Sequence, residues 1–141
     1  MTNEKGLLHN FGSELIAERI EHGVTFRLFK NRIFHVSIPK NKKIEKIVIE
    51  RGYVFLDENG GGKFYNIYEF DTFSDVEPEV REWAASLSGN HYTFCDAIVI
   101  RNLAQKIITD FYLKFNKPQM PTKIFYSVEK ALDWIKDMQK N

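Results

Sequence analysis

A chain of 141 residues is long enough for one domain with a self-sufficient core, since a domain of about 150 residues buries roughly 70% of its unfolded surface. Its 20 Lys and Arg against 19 Asp and Glu leave a formal charge of +1, which excludes a net field able to recruit nucleic acid or an anionic membrane. A single cysteine, Cys95, excludes an internal disulfide.

The opening MTNEKGLLHN lacks the apolar core of a signal peptide, and no apolar run reaches the length of a membrane span. A soluble, cytoplasmic chain is the expectation. Residues 1–23 read as an N-terminal segment in which Glu18 to Glu21 either extend the first strand or form one of their own, with Gly23 as a bend. The run VTFRLFKNRIFHVSI, residues 24–38, alternates on both sides of Lys30-Asn31. Asn31 tolerates the left-handed backbone of a tight turn, so the run predicts an antiparallel hairpin. On a sheet edge, Arg27, Lys30 and Arg32 would discourage open-ended pairing, which predicts a monomer or a closed homodimer.

From Lys42 to Glu58 the spacing of Ile44, Ile47, Val48 and Phe55 is helical although the Ile and Val content favours strand. Length and the closing Asn59-Gly60 decide for helix. Lys63 to Phe70 is then a strand. Pro78 to Ser88 is a helix with Val80, Trp83, Ala84 and Leu87 on one stripe, and Tyr92 to Ile100 is an apolar strand. In the next helix Ala104, Ile107, Ile108, Phe111, Tyr112 and Phe115 fall on one broad stripe, which predicts a core element with Phe111 buried. Asn102 is its expected N-cap, with Gln105 at the third position. Lys123 to Tyr126 is a short strand, and Ser127 caps a last helix bearing Val128, Leu132, Ile135 and Met138. This alternation predicts an α/β domain over residues 24–141: a mixed, mostly parallel sheet opened by an antiparallel hairpin and flanked by about four helices.

Few motifs carry chemistry. Gly60, Gly61, Gly62 and Lys63 imitate a phosphate loop, but that pattern needs Gly at Asp57 and Ser or Thr at Phe64, between a strand and a following helix. A helix-to-strand turn accounts for them better. His9, His22, His35 and His91 are scattered without metal spacing, and Cys95 in an apolar strand reads as a small hydrophobe with no adjacent base. Neither metal nor cofactor is expected. Lys40, Lys42, Lys43 and Lys46 gather near a helix start, where the helix dipole disfavours cations; a solvated surface run is the simpler account.

Ligands of open α/β sheets gather beyond the carboxyl ends of the strands. That rule selects Asp71, Thr72 and Ser74 after one strand, Arg101 and Asn102 after the next and Ser127 after the last, with Asp71 and Arg101 in pairing reach if those strands are neighbours. Asp75, Glu77 and Glu79 extend the first group into an acidic surface at a helix start. No general base accompanies these hydroxyls, so no catalytic residue is expected.

With the element order in place, the hairpin VTFRLFKNRIFHVSI, the strand and turn IYEFDTFSDVEPEV, the strand DAIVIRN and the ending FYLKFNKPQMPTKIFYSVEKALDWI resemble the STAS-like (SpoIIAA-like) domains of anti-sigma-factor antagonists, and most of all a small uncharacterised bacterial group among them. The resemblance implies a non-enzymatic regulatory module that binds a protein partner of the anti-sigma-factor or switch-kinase type and is released by phosphorylation at one helix start. That helix would begin near Pro78. The family pattern there is Asp-x-Ser-Gly, whereas this chain has Glu77-Pro78-Glu79, so a constitutively acidic turn is expected in place of a phosphoswitch. The alternative reading is a small-ligand domain using the crevice near Asp71, Arg101 and Asn102.

Overall fold

A computed structural model describes residues 11–84 and 91–140. Six strands form the main sheet: β1 (Leu15–Glu21), β2 (Val24–Phe29), β3 (Ile33–Ile38), β5 (Phe64–Phe70), β7 (Thr93–Val99) and β8 (Thr122–Phe125), side by side in that order. The β1–β2 and β2–β3 pairs are antiparallel, and the β3–β5, β5–β7 and β7–β8 pairs are parallel. A separate two-stranded ribbon pairs β4 (Lys43–Ile44) with β6 (Asp75–Val76) in parallel. Helices among the described residues are α1 (Lys46–Glu58), α2 (Pro78–Ala84), α3 (Leu103–Asn116) and α4 (Val128–Lys140). The chain is therefore α/β with a mixed sheet opened by antiparallel strands, as its alternating pattern predicts.

The period of two along each strand divides the core between the two faces of the sheet. On one face Phe26, Phe34, Val36 and Phe64 pack beneath Val48, Phe55 and Leu56 of α1. On the other, Ile33, Ile67, Ala97 and Val99 meet Ala131, Leu132 and Ile135 of α4. Both faces are covered, so the parallel strands read as nearly continuous apolar runs. No helix among the described residues is long and apolar enough to cross a membrane.

Several local expectations change. Residues 15–21 form a strand, joined to β2 by a turn in which His22 and Gly23 both have positive φ, 51° and 81°, the conformation a two-residue hairpin favours. β2 is consequently an interior strand, and the edge charges expected on Arg27, Lys30 and Arg32 do not guard an edge: β1 and β8 are the outer strands. In the β2–β3 turn the left-handed residue is Arg32, φ 69°, in place of Asn31. Asn31 is instead held by Ser13 and Phe11, and its Oδ1 accepts from the Ile33 N–H. The Arg32 guanidinium donates to the carbonyls of Gly61 and Lys63 and stacks over Phe64 at 4.1 Å, which fastens the glycine turn to the hairpin. α1 starts at Lys46 because Lys43 and Ile44 are taken into the ribbon with β6.

The largest correction concerns α3. Its apolar stripe is not buried: Leu103, Ile107, Phe111 and Phe115 are exposed, Phe111 at 61%, and Gln105 is the one buried residue of the helix. The physical reason is position. α3 lies against β8, where the sheet ends, so the inner half of the stripe, Ile108 and Tyr112, turns toward the sheet while the outer half overhangs the edge with no described element beyond it. Of the stripe foreseen on α2, Val80 is buried, Trp83 and Ala84 are half-buried, and Leu87 lies outside the described residues.

Candidate functional site

The parallel registers build the site. Phe34 pairs with Asn66, Asn66 with Asp96, and Asp96 with Thr122, so one row crosses four strands beneath α1 and α3. Three of its four residues are polar, which is unusual for the covered face of a sheet. Above that row the sheet and helices α1, α2 and α3 enclose a cavity of about 170 Å³. Val36, Ile98 and Ile108 supply apolar wall, and Asp96, Tyr53, Tyr68 and Tyr112 supply polar groups within it.

Asp96 is the central group. Asn66 Nδ2 donates to its Oδ1 at 2.9 Å and to Thr93 Oγ1 at 3.1 Å, and the buried Asn66 Oδ1 has no hydrogen-bond partner. No Lys, Arg or His among the described residues pairs with Asp96. Burial pushes the Asp96 carboxyl up to about 6, against the smaller opposing effect of the Asn66 hydrogen bond. Burial, and then the Asp96 charge, push Tyr53 and Tyr112 up to about 12 and Tyr68 well above its usual value, so all three phenols stay neutral. Tyr53 is fixed by ring contacts with Tyr92 at 4.6 Å and Trp83 at 6.1 Å. The other charged groups on the wall, Asp75 and Arg81, face each other at 3.5 Å, with Arg81 also donating to the Val76 carbonyl.

A family model described as a domain of unknown function, DUF7793, matches residues 20–139. The chain belongs to this family. Comparisons with curated proteins and with solved structures each found no match. In this DUF7793 chain the matched span contains the cavity, its polar row and helices α1 to α4 except the last residue of α4.

Of the residues foreseen at the carboxyl ends of the strands, Ser74 and Asp75 line this cavity, and most of the group are committed to holding the chain. Asp71 does not pair with Arg101. Its Oδ1 accepts from the Thr72 N–H at 2.6 Å, while Arg101 reaches Glu69 at 3.4 Å, because β5 ends one residue earlier than that pairing needs and Asp71 turns into the loop. Ser74, only 3% exposed, donates from its hydroxyl to the Asp71 carbonyl. Asp75 is paired with Arg81, Glu77 is half-buried and Glu79 is exposed. Asn102 caps α3 by accepting from the Gln105 N–H at 3.0 Å. The acidic surface is thus smaller than the run of carboxylates suggests.

Gln105 is the residue that sequence reading placed only as part of a cap. Its Nε2 donates to the carbonyls of Asp71 and Ser74, and its Oε1 accepts from the Arg101 N–H at 2.7 Å. It therefore joins the ends of β5 and β7 to α3 in place of an Asp71–Arg101 pair. Between the two carbonyls it holds, Phe73 stands 73% exposed at a φ of 60°, a left-handed position uncommon for a bulky side chain. Asp96 itself was missed, and its signal was an aspartate inside the strand TFCDAIV, where an unpaired charge is costly.

On the opposite face His35 and Glu69 meet at 2.8 Å. Burial holds His35 below its ordinary value, so the neutral ring donates from Nε2 to Glu69 and leaves Nδ1 buried without a partner. Cys95 is fully buried on that face, and burial pushes its thiol up to about 12. This makes it a packing residue, not a nucleophile.

Proposed function

We propose that this domain is a binding module, without catalysis, for a small and largely apolar ligand that occupies the cavity between the sheet and helices α1 to α3. One observation carries the reading: a space of about 170 Å³ lined by apolar side chains and a few convergent polar groups, the form that small-molecule sites take. A cavity of about 150 Å³ already admits benzene. The shift of the Asp96 carboxyl supports the same place, since perturbed groups cluster at functional sites. The ligand would be met in the cytoplasm, the setting expected from the lone cysteine and from an opening without a signal-peptide core.

A fragment library screened by ligand-observed NMR tests this against the wild type and Ile108→Trp, which adds volume on the cavity wall. Hits that the substitution abolishes support the reading. A library without hits, or hits indifferent to the substitution, would overturn it.

A second reading, a protein-interaction module of the STAS-like kind, is favoured by the exposed Leu103, Ile107, Phe111 and Phe115 on α3. An apolar stripe of this sort is the usual partner surface of a helix. Self-association into a closed dimer through it would be lost in the double variant Phe111→Ser with Phe115→Ser, as read by sedimentation. If the wild type is monomeric at high concentration, the dimer form of this reading fails.

A further inference from the structure

The cavity carries a charge that the described residues leave unanswered. Among them Asp96 receives one hydrogen bond, from Asn66, and no cation pairs with it. The remaining charges on the wall, Asp75 and Arg81, answer each other. An ionised carboxylate shielded from water is tolerated where a partner completes it, because an unpaired buried charge is costly. Around Asp96 stand Tyr53, Tyr68 and Tyr112, each close enough to feel its charge. Neutral aromatic rings beside a carboxylate are the surroundings that favour an ammonium group, which the carboxylate attracts directly and the ring faces attract through their quadrupoles.

We infer that the ligand is a small organic cation, a protonated amine on an apolar body of about benzyl size, with its ammonium on Asp96 and its body among Tyr53, Tyr68 and Tyr112. This inference rests on the ligand-binding reading above and names the chemistry of that site. An anion is disfavoured by the Asp96 charge, and a neutral apolar molecule would strip water from the carboxylate without replacing it. The size follows from the volume, which holds one ring and a short substituent.

Three probes separate the possibilities on the isotope-labelled full chain at pH 7.5, followed by chemical-shift titration: benzylammonium, benzyl alcohol and benzoate. Benzylammonium is expected to bind at least about tenfold more tightly than benzyl alcohol, the ratio of a charge-assisted contact to a neutral one, and benzoate is expected not to bind. In Asp96→Asn the preference should collapse while benzyl alcohol affinity changes by less than about threefold. Benzyl alcohol or benzoate matching benzylammonium, or a preference that survives Asp96→Asn, overturns the cation and leaves the cavity reading standing. If none of the three perturbs the resonances of residues around the cavity, both fall.

Discussion

Replacing Asp96 with Asn should make the ligand-free protein more stable at neutral and alkaline pH. The carboxyl is raised by burial to about 6, whereas in the unfolded chain it titrates near its ordinary value of about 3.9. Between those two values the folded chain holds a proton that the unfolded chain has released, so stability falls as pH rises through that window, and the full deficit is present above about pH 6. A rise of that size corresponds to about 3 kcal/mol, an upper bound because water in the cavity softens the desolvation. Asn keeps an acceptor for the Asn66 Nδ2 bond of 2.9 Å, keeps the shape, and removes the charge. Urea unfolding at pH 8 should show Asp96→Asn stabilised by about 1 to 3 kcal/mol, and the advantage should shrink toward zero as the pH falls below about 3.9, where the wild-type carboxyl becomes protonated in both states. A variant that is less stable than wild type at pH 8, or whose difference does not change with pH, would refute the reasoning.

Phe111→Ala should cost less than about 1 kcal/mol in the same assay, since the ring is 61% exposed, while Phe55→Ala, at a position of α1 fully buried against the sheet, should cost about 3 to 5 kcal/mol. Gln105→Ala should cost about 1 to 3 kcal/mol by leaving the Asp71 and Ser74 carbonyls and the Arg101 N–H without their partner, and hydrogen exchange should localise the loosening to residues 71–76 and the start of α3. Ser74 should carry no phosphate in protein recovered from its native cells, because its hydroxyl is buried and donates to Asp71; phosphopeptide mass spectrometry finding substantial Ser74 phosphate would show that the turn opens. His35→Phe should flatten the acid limb of the stability profile: neutral buried His35 is held below its ordinary value, so the unfolded chain binds the extra proton and stability is lost as pH falls below about 6.5.

Much of the fold was legible because its strands and helices obey the two periods that backbone geometry imposes. The alternation in β2 and β3, the Asn102 cap and the Ser127 cap, where Ser127 Oγ accepts from the Lys130 N–H, needed only neighbours in sequence. What failed depended on distant partners. Periodicity finds the apolar side of α3 but does not say that β8 ends the sheet beneath it, so Phe111 was assigned to a core that stops short of it. The candidate site shifted for a similar reason. The carboxyl-end rule pointed to Asp71, Ser74, Arg101 and Asn102, of which only Ser74 lines the cavity. The chemical centre, Asp96 facing Asn66, is created by the register between β5 and β7, which no local pattern encodes.

The position of α3 links the cavity to the surface. A helix normally held to a sheet by its apolar stripe is here held at its first turn by Gln105, which reaches two carbonyls of the loop after β5 and one N–H at the end of β7. Its inner residues Ile108 and Tyr112 line a space where a filled core would otherwise lie, and its outer residues Ile107 and Phe111 face solvent. Both arrangements forgo apolar burial, at roughly 25 cal/mol for each Å² left uncovered. A helix with a polar anchor at one end and little packing along its length belongs to the part of a fold that opens at low free energy. A molecule in the cavity adds contacts to the inner face of α3, and occupancy therefore tightens the element that also carries Phe111 and Phe115. The two surfaces that proposals of ligand and of partner binding invoke are opposite sides of one helix, so a ligand that stiffens it changes what a partner would meet.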